Sequence, residues 1–220
     1  MNHVCVVFDI DDTLYLERDY VFSGFAAVAP WARTWLGIED FGERCREAHE
    51  AGVRGSVFNR VLKDGGMAAS PEAVAALVSI YRAHVPAIGL CADAREALAE
   101  ASRRWPVAVI TDGPAVSQSR KADALELRRF ATPIVLTELL GPECSKPSSV
   151  AFLKVEECIR AHHYVYVADN PVKDFVAPRN LGWRSVRIRR PAGLHFGVDG
   201  GGADVEFEDC SRLMGWLDGL

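Results

Sequence analysis

The chain has 220 residues, 49% of them hydrophobic and 25% charged, with a net charge of −5. That composition belongs to a soluble globular protein with room for one substantial α/β domain or a core plus a smaller appendage. The acidic balance removes any global electrostatic drive toward nucleic acid or an anionic membrane surface. The sequence opens without a signal-type segment, and no stretch approaches membrane-spanning length, so a cytoplasmic protein is expected.

Residues 4–8 (VCVVF) are apolar and rich in β-branched side chains, the pattern of a buried strand, and they run directly into Asp9, Asp11 and Asp12. Carboxylates crowded at the end of a core strand are costly unless something compensates them. From 20 to 88 the pattern is helical. VFSGFAAVAPWARTWLG ends at Gly37, FGERCREAHEAG ends at Gly52, and SVFNRVLKDGG ends in a glycine pair. SPEAVAALVSIYRAH opens with Ser70 as N-cap, Pro71 in the first turn and Glu72 behind it, and Pro86 closes the segment. Phe25, Trp31 and Trp35 read as the core of this helical block rather than a stacking platform.

From residue 89 helices alternate with short apolar strands. The expected order is a helix over 92–104, a strand at PVAVIT, a helix over 115–130, a strand at TPIVLTE, and a helix over 148–163. A strand at YVYVAD, a mostly helical stretch over 172–182, a strand at WRSVRIRR, a short strand at ADVEFE and a terminal helix follow. His162 and His163 then sit at a helix end, where cations suit the dipole. Arg187, Arg189 and Arg190 read as a solvated basic face. The Gly-rich 197–204 reads as a mobile connection to an edge strand. Repeated β-α-β units predict an α/β fold: a Rossmann-like parallel sheet with helices on both faces, plus an inserted all-helical domain after the first strand. The expected division is 1–16 with 89–220 for the α/β core, and 17–88 for the insertion.

Cys5, Cys45, Cys91, Cys144, Cys158 and Cys210 lie far apart without C-x-x-C spacing, which predicts a reducing compartment and no zinc site or disulfide framework. Cys5 and Cys158 sit in apolar contexts and read as small core residues.

Ligands of open parallel sheets bind outside the carboxyl ends of the strands. Asp9, Asp11, Asp12 and Thr13 follow the first strand, and Thr111, Asp112, Gly113 and Pro114 follow the second. Ser145, Lys146 and Pro147 follow the third, and Asp169, Asn170 and Asp174 follow the fourth. Several carboxylates can stay ionised together around a hard divalent cation such as Mg²⁺. Gly113 and the helix after it suit an anion; Thr111 offers a hydroxyl donor and Lys146 a cation. An aspartate can attack phosphorus while a second carboxyl moves protons. Taken alone, DIDDT also reads as a solvated turn with a helix cap. Asp12, between the candidate positions, is expected to be exposed and tolerant of change.

FDIDDTLY, ITDGP, SKPSS and VADNPVKDF, in that order, resemble the four motifs of the haloacid dehalogenase-like hydrolase superfamily, and the helical insertion resembles its cap domain. The resemblance implies Asp9 as nucleophile and Asp11 as general acid/base. It implies Thr111, Asp112, Gly113 and Lys146 at the phosphate, with Lys146 also holding Asp9. Mg²⁺ would lie between Asp9, the backbone carbonyl of Asp11 and Asp169, supported by Thr13, Asn170 and Asp174. The last motif of the superfamily usually opens with Gly before its Asp; Ala168 stands there. Arg54, at a turn between insertion helices, is a candidate substrate contact, ahead of Asn59 and Lys63.

The implied activity is a Mg²⁺-dependent phosphatase of a small phosphorylated metabolite, a sugar phosphate or nucleoside monophosphate, acting through an aspartyl-phosphate. Asp11 disfavours dehalogenation and phosphonate hydrolysis; a phosphomutase stays open, with Thr13 leaning toward hydrolysis. A receiver-type phospho-acceptor also gathers acids, Thr and Lys at strand ends, but without a helical insertion after the first strand. The expected partner is the small metabolite, with no nucleic acid or membrane, in a monomer or homodimer.

Overall fold

The protein, seen in a computed structural model that describes residues 2–220, separates into two compact units, Arg18–Ala87 and Met1–Glu17 with Ile88–Leu220. The first is helical. It comprises α1 (Glu17–Leu36, beginning one residue earlier), α2 (Phe41–Glu50), α3 (Val57–Asp64) and α4 (Pro71–Ala83). Gly37 takes a left-handed φ of 68° where α1 stops. Ser70 caps α4 as expected, its hydroxyl accepting from Ala73 N at 3.2 Å. Phe25, Phe41, Phe58, Leu62 and Leu77 form the core of this unit, and Gly24 is needed because a Cβ there would lie 2.3 Å from the Tyr81 ring. Trp31 packs against that core, but Trp35 is 71% exposed, contrary to expectation: it falls on the outer side of α1, one residue before the helix ends.

The second unit is built on six strands. They are β1 (Asn2–Phe8), β2 (Val107–Thr111), β3 (Ile134–Leu136), β4 (Ala161–Ala168), β5 (Arg184–Ile188) and β6 (Val205–Phe207). They make one sheet, in the order β3-β2-β1-β4-β5-β6. Every pairing is parallel. Val4–Phe8 and Val107–Ile110 are buried along their whole length, as strands covered on both faces must be. The helices of this unit are α5 (Ala92–Arg104), α6 (Ala115–Ala124), α7 (Val150–Cys158), α8 (Val176–Asn180) and α9 (Leu213–Leu217). Phe152 of α7 meets Tyr166 of β4 edge to face at 4.9 Å, and Trp183 closes the same cluster. Strand order runs outward both ways from β1, so the topology reverses there. Register sets Phe8 beside Val109 and Val167, and residues just beyond these strand ends emerge next to one another.

Several sequence expectations need correction. Helix α6 ends at Ala124, and a left-handed Glu126 (φ 53°) leads into a 3₁₀ turn over Leu127–Arg129 instead of further helix. Helix α7 ends at Cys158, because β4 already pairs with β1 from Ala161; His162 and His163 therefore lie in a strand, not at a helix end. Only Val176–Asn180 of the stretch 172–182 is helical. Cys158 is exposed at the end of α7, whose inward side carries Ala151, Phe152 and Val155. Cys5 is buried as expected, and none of the six cysteines is in a disulfide. Among the described residues no helix is long and apolar enough to cross a membrane.

The basic run is the largest departure. Arg189 is partly exposed, but Arg187 is 0% and Arg190 7% exposed. The Arg190 guanidinium donates twice to the Thr13 carbonyl, at 3.0 and 2.8 Å, and holds the Asp93 carboxylate at 3.1 and 2.7 Å. It thereby ties the segment after β1 to α5. Replacing it takes the cation from a mostly buried carboxylate, which keeps the Cys210 N–H at 2.8 Å, and removes two donors from the Thr13 carbonyl. Arg190→Ala is expected to cost about 3 kcal/mol in urea unfolding; a loss below about 1 kcal/mol, the scale of a surface pair, would contradict this role.

Candidate active site

The ends of β1, β2 and β4 bring most of the predicted residues of the second unit together. Asp9 is anchored by its backbone N–H to Val167 O at 2.9 Å and is buried, as are Lys146, Asp169 and Asp174. The Lys146 ammonium lies 2.7 Å from Asp9 Oδ1, 2.8 Å from Asp174 Oδ1 and 3.0 Å from the Tyr166 hydroxyl. Asp174 Oδ2 accepts from Asn170 N at 2.9 Å, closing the loop that leaves β4. Burial pushes the Asp9 carboxyl well above its usual range; Lys146 opposes that, while Asp174, Asp169 and Asp11 add to it. Lys146 itself is held well above an ordinary lysine, because its carboxylates outweigh the cost of burying its charge.

Asp11 has a separate set of partners. Tyr15 donates to its Oδ1 at 2.5 Å, Gln118 to Oδ2 at 3.0 Å, and Lys121 to both oxygens at 2.6 and 2.8 Å. Burial alone would raise this carboxyl, but Lys121 first, then Tyr15 and Gln118, outweigh it and hold Asp11 below its usual range. Burial and the Asp11 charge push half-buried Glu17 up to about 7.

Asp112 Oδ1 accepts from Thr137 Oγ1 at 2.9 Å and Lys146 N at 3.1 Å, and its Oδ2 meets Lys173 at 2.6 Å. Thr111 donates its hydroxyl to Gln118 Oε1 at 3.0 Å. Gly113 has φ 117°, a conformation that calls for glycine, and a Cβ there would sit 3.1 Å from Gln118 Nε2. The Thr13 hydroxyl is buried without a hydrogen bond among the described residues. Asp12, expected to be exposed, is 4% exposed. Its two oxygens accept from Glu17 N at 2.9 Å and Leu194 N at 2.7 Å, a role for a short carboxylate that pins two chain segments. Arg54 belongs to the helical unit, where its guanidinium donates to the carbonyls of His49 and Val53; Asn59 and Lys63 are exposed there.

Sequence reasoning passed over Gln118, Lys121, Lys173 and His195. The first two stand at i, i+3 on α6, one face of the helix after the glycine turn, and that spacing was a usable signal. His195 reaches Asp169 Oδ2 with Nδ1 at 2.9 Å from a loop beyond β5, and no spacing announces that contact.

One oxygen each from Asp9, Asp169 and Asp174 lies within 4.8 Å of the others. Asp174 thus brings its own carboxylate into the cluster, beyond the supporting position expected for it. Its Oδ1 is buried without a hydrogen bond of good geometry, although the Lys146 charge is near. Two of these carboxylates meet the Lys146 ammonium and the third meets His195, and three carboxylate oxygens this close together suit a hard divalent cation with oxygen ligands. Burial, with Asp174 and Asp12 adding to it against the His195 hydrogen bond, pushes Asp169 up to about 6.

A family model described as haloacid dehalogenase-like hydrolase matches residues 4–182. Solved structures similar to this chain include the HAD-hydrolase candidate YfnB from Bacillus subtilis, bound to magnesium. It shares 17% identity at TM-score 0.69, over 99% of this chain and 100% of that one. A beta-phosphoglucomutase candidate from Thermotoga maritima shares 18% identity at TM-score 0.68, with all of both chains covered. A 2-haloacid dehalogenase from Pseudomonas syringae pv. Tomato shares 20% identity at TM-score 0.65, covering 99% of each chain. No curated protein matches the sequence. Identities this low carry the fold alone.

The raised Asp169 carboxyl sets a pH dependence. Folding without a cation favours its protonated form, so this group's contribution to stability is present below about pH 4 and is lost as pH climbs through about 6. A cation needs the ionised oxygen. For a cluster that takes up a divalent cation, the rise in melting temperature on adding Mg²⁺ should therefore be small near pH 5 and grow through about 6 to 7.5; equal shifts at both ends, or none at either, would contradict such a site here.

Proposed function

The chain belongs to the haloacid dehalogenase-like hydrolases, and from that premise we propose a Mg²⁺-dependent phosphatase that cleaves a small phosphorylated metabolite through an aspartyl-phosphate. The observation that carries this reading is the buried pairing of Asp9 with Lys146, beside a second aspartate, Asp11, with its own hydrogen-bond partners. A lysine holding one Asp9 oxygen fixes the carboxylate so that the other is left to attack phosphorus.

In the first half-reaction an Asp9 oxygen bonds to phosphorus as the bond from phosphorus to the leaving oxygen breaks. Asp11 gives the leaving oxygen its proton; in the second half it takes one from the water that attacks phosphorus, releasing phosphate and restoring Asp9. With Lys121, Tyr15 and Gln118 on it, Asp11 is held in the ionised, proton-accepting form. To act as an acid it must take up a proton and loosen its hold on Lys121. Thr111, once its hydroxyl turns from Gln118 Oε1, the backbone N–H groups around Gly113 and the Lys146 ammonium supply donors for the phosphoryl oxygens. A divalent cation bound by Asp9, Asp169 and Asp174, with the Asp11 backbone carbonyl as a further donor, would offset charge on the phosphoryl group.

The substrate class is a sugar phosphate or nucleoside monophosphate, with Arg54 as a contact in a helical unit acting as a cap. A phosphomutase would use the same residues but return the phosphoryl group to substrate rather than to water. Six cysteines outside any disulfide fit a reducing, cytoplasmic setting.

With Mg²⁺, the protein should release phosphate from metabolite monophosphates and from an aryl phosphate. Asp9→Asn should lower that release about a thousandfold or more; equal release by both proteins would remove Asp9 as nucleophile. Asp11→Asn should lower kcat by roughly 10²- to 10⁴-fold, most for poor leaving groups. Arg54→Ala should raise KM for the best metabolite more than for the aryl phosphate, and an unchanged substrate ranking would take Arg54 out of the site.

A further inference from the structure

Arg187 is fully buried in β5, and each of its five N–H donors has an acceptor. Nε donates to the Asp169 carbonyl at 3.1 Å. Nη1 donates to Gly200 O and Glu206 Oε1, both at 3.1 Å, and Nη2 to His195 O at 2.9 Å and Val198 O at 2.8 Å. One guanidinium thus joins the backbone of Asp169 to three carbonyls of the loop that leaves β5. The same loop is tied at a second point, where Leu194 N donates to Asp12 Oδ2 at 2.7 Å. Between these anchors His195 is half-buried, and its Nδ1 stands 2.9 Å from Asp169 Oδ2. A loop fixed by a buried five-donor cation next to a carboxylate cluster is far more constrained than a surface connection requires.

We propose that His195 is a positioning residue for the cation site: clamped by Arg187 and Asp12, it donates Nδ1–H to Asp169 and sets the orientation in which that carboxylate meets a divalent ion. The inference rests on the reading of Asp169 as a ligand. Its physical basis is that a carboxylate with one oxygen committed to a fixed donor has lost rotational freedom before the ion arrives, so less ordering remains at binding. Arg187 acts on both sides of the contact at once, through the Asp169 carbonyl and the His195 carbonyl.

The test is a calorimetric titration of the full chain with Mg²⁺ near neutral pH, comparing wild type, His195→Ala and His195→Asn. The asparagine amide can place a donor close to the position of Nδ1. His195→Ala is expected to weaken Mg²⁺ binding roughly tenfold or more, and His195→Asn to keep it within about threefold of wild type. At saturating Mg²⁺, His195→Ala should recover most of its kcat on an aryl phosphate. Mg²⁺ affinity unchanged in His195→Ala overturns the proposal, as does an equal loss in both variants, which would mark His195 as a packing residue only. The binding readout is separate from turnover. A wild type that binds Mg²⁺ but releases no phosphate defeats the hydrolase reading and leaves this one standing; intact phosphate release with equal Mg²⁺ affinities does the reverse.

Discussion

The Lys146 ammonium sits between Asp9 and Asp174, 2.7 and 2.8 Å from an oxygen of each, and all three side chains are buried. Removing charges from water is expensive, and an arrangement of this kind persists only when each charge has close partners. Here the account is unbalanced by design: Asp169 adds a third carboxylate, and Asp11 is already neutralised by Lys121. Asp112 is similarly matched by Lys173. Burial and crowding disfavour the ionised forms of Asp9 and Asp169 even with Lys146 and His195 beside them, and a divalent cation among the Asp9, Asp169 and Asp174 oxygens would favour those ionised forms. The remaining features serve to keep that unbalanced cluster in place.

The sheet does most of that work. Because strand order reverses at β1, the ends of β1, β2 and β4 meet without a helix crossing between them, and residues more than a hundred positions apart arrive within hydrogen-bond reach. Two buried arginines of β5 and its exit then hold the surrounding segments: Arg190 by the Thr13 carbonyl and Asp93, Arg187 by the Asp169 carbonyl and the loop bearing His195. Each replaces hydrogen bonds that irregular backbone would otherwise make to water.

The features legible in the sequence were those set by local pattern. Apolar runs bounded by acidic or glycine turns marked β1, β2 and β4, and Ser70 with Pro71 marked the start of α4. Asp9, Asp11, Thr111, Lys146 and Asp169 stand out in the sequence because each lies at or beyond a strand end. What escaped was decided by distant partners. Arg187 and Arg190 look like a solvated face until the carbonyls they satisfy are known. Asp12 looks like a spare surface acid until Leu194 returns to it from 182 residues away. The sequence pattern extends α7 too far because His162 and His163 carry no strand preference of their own; pairing with β1 decides their state. Lys121 was within reach of sequence reasoning, through its spacing from Gln118, whereas His195 was not.

The central claim is that Asp9 becomes covalently phosphorylated. Its most direct test is a rapid-quench single turnover with an aryl phosphate and Mg²⁺, followed by peptide mapping of the acid-quenched protein. The account predicts a hydroxylamine-sensitive phosphoryl group on Asp9, absent when Mg²⁺ is removed. A phosphoryl group mapped to another residue, or phosphate release at full rate with none ever trapped on the chain, would contradict it.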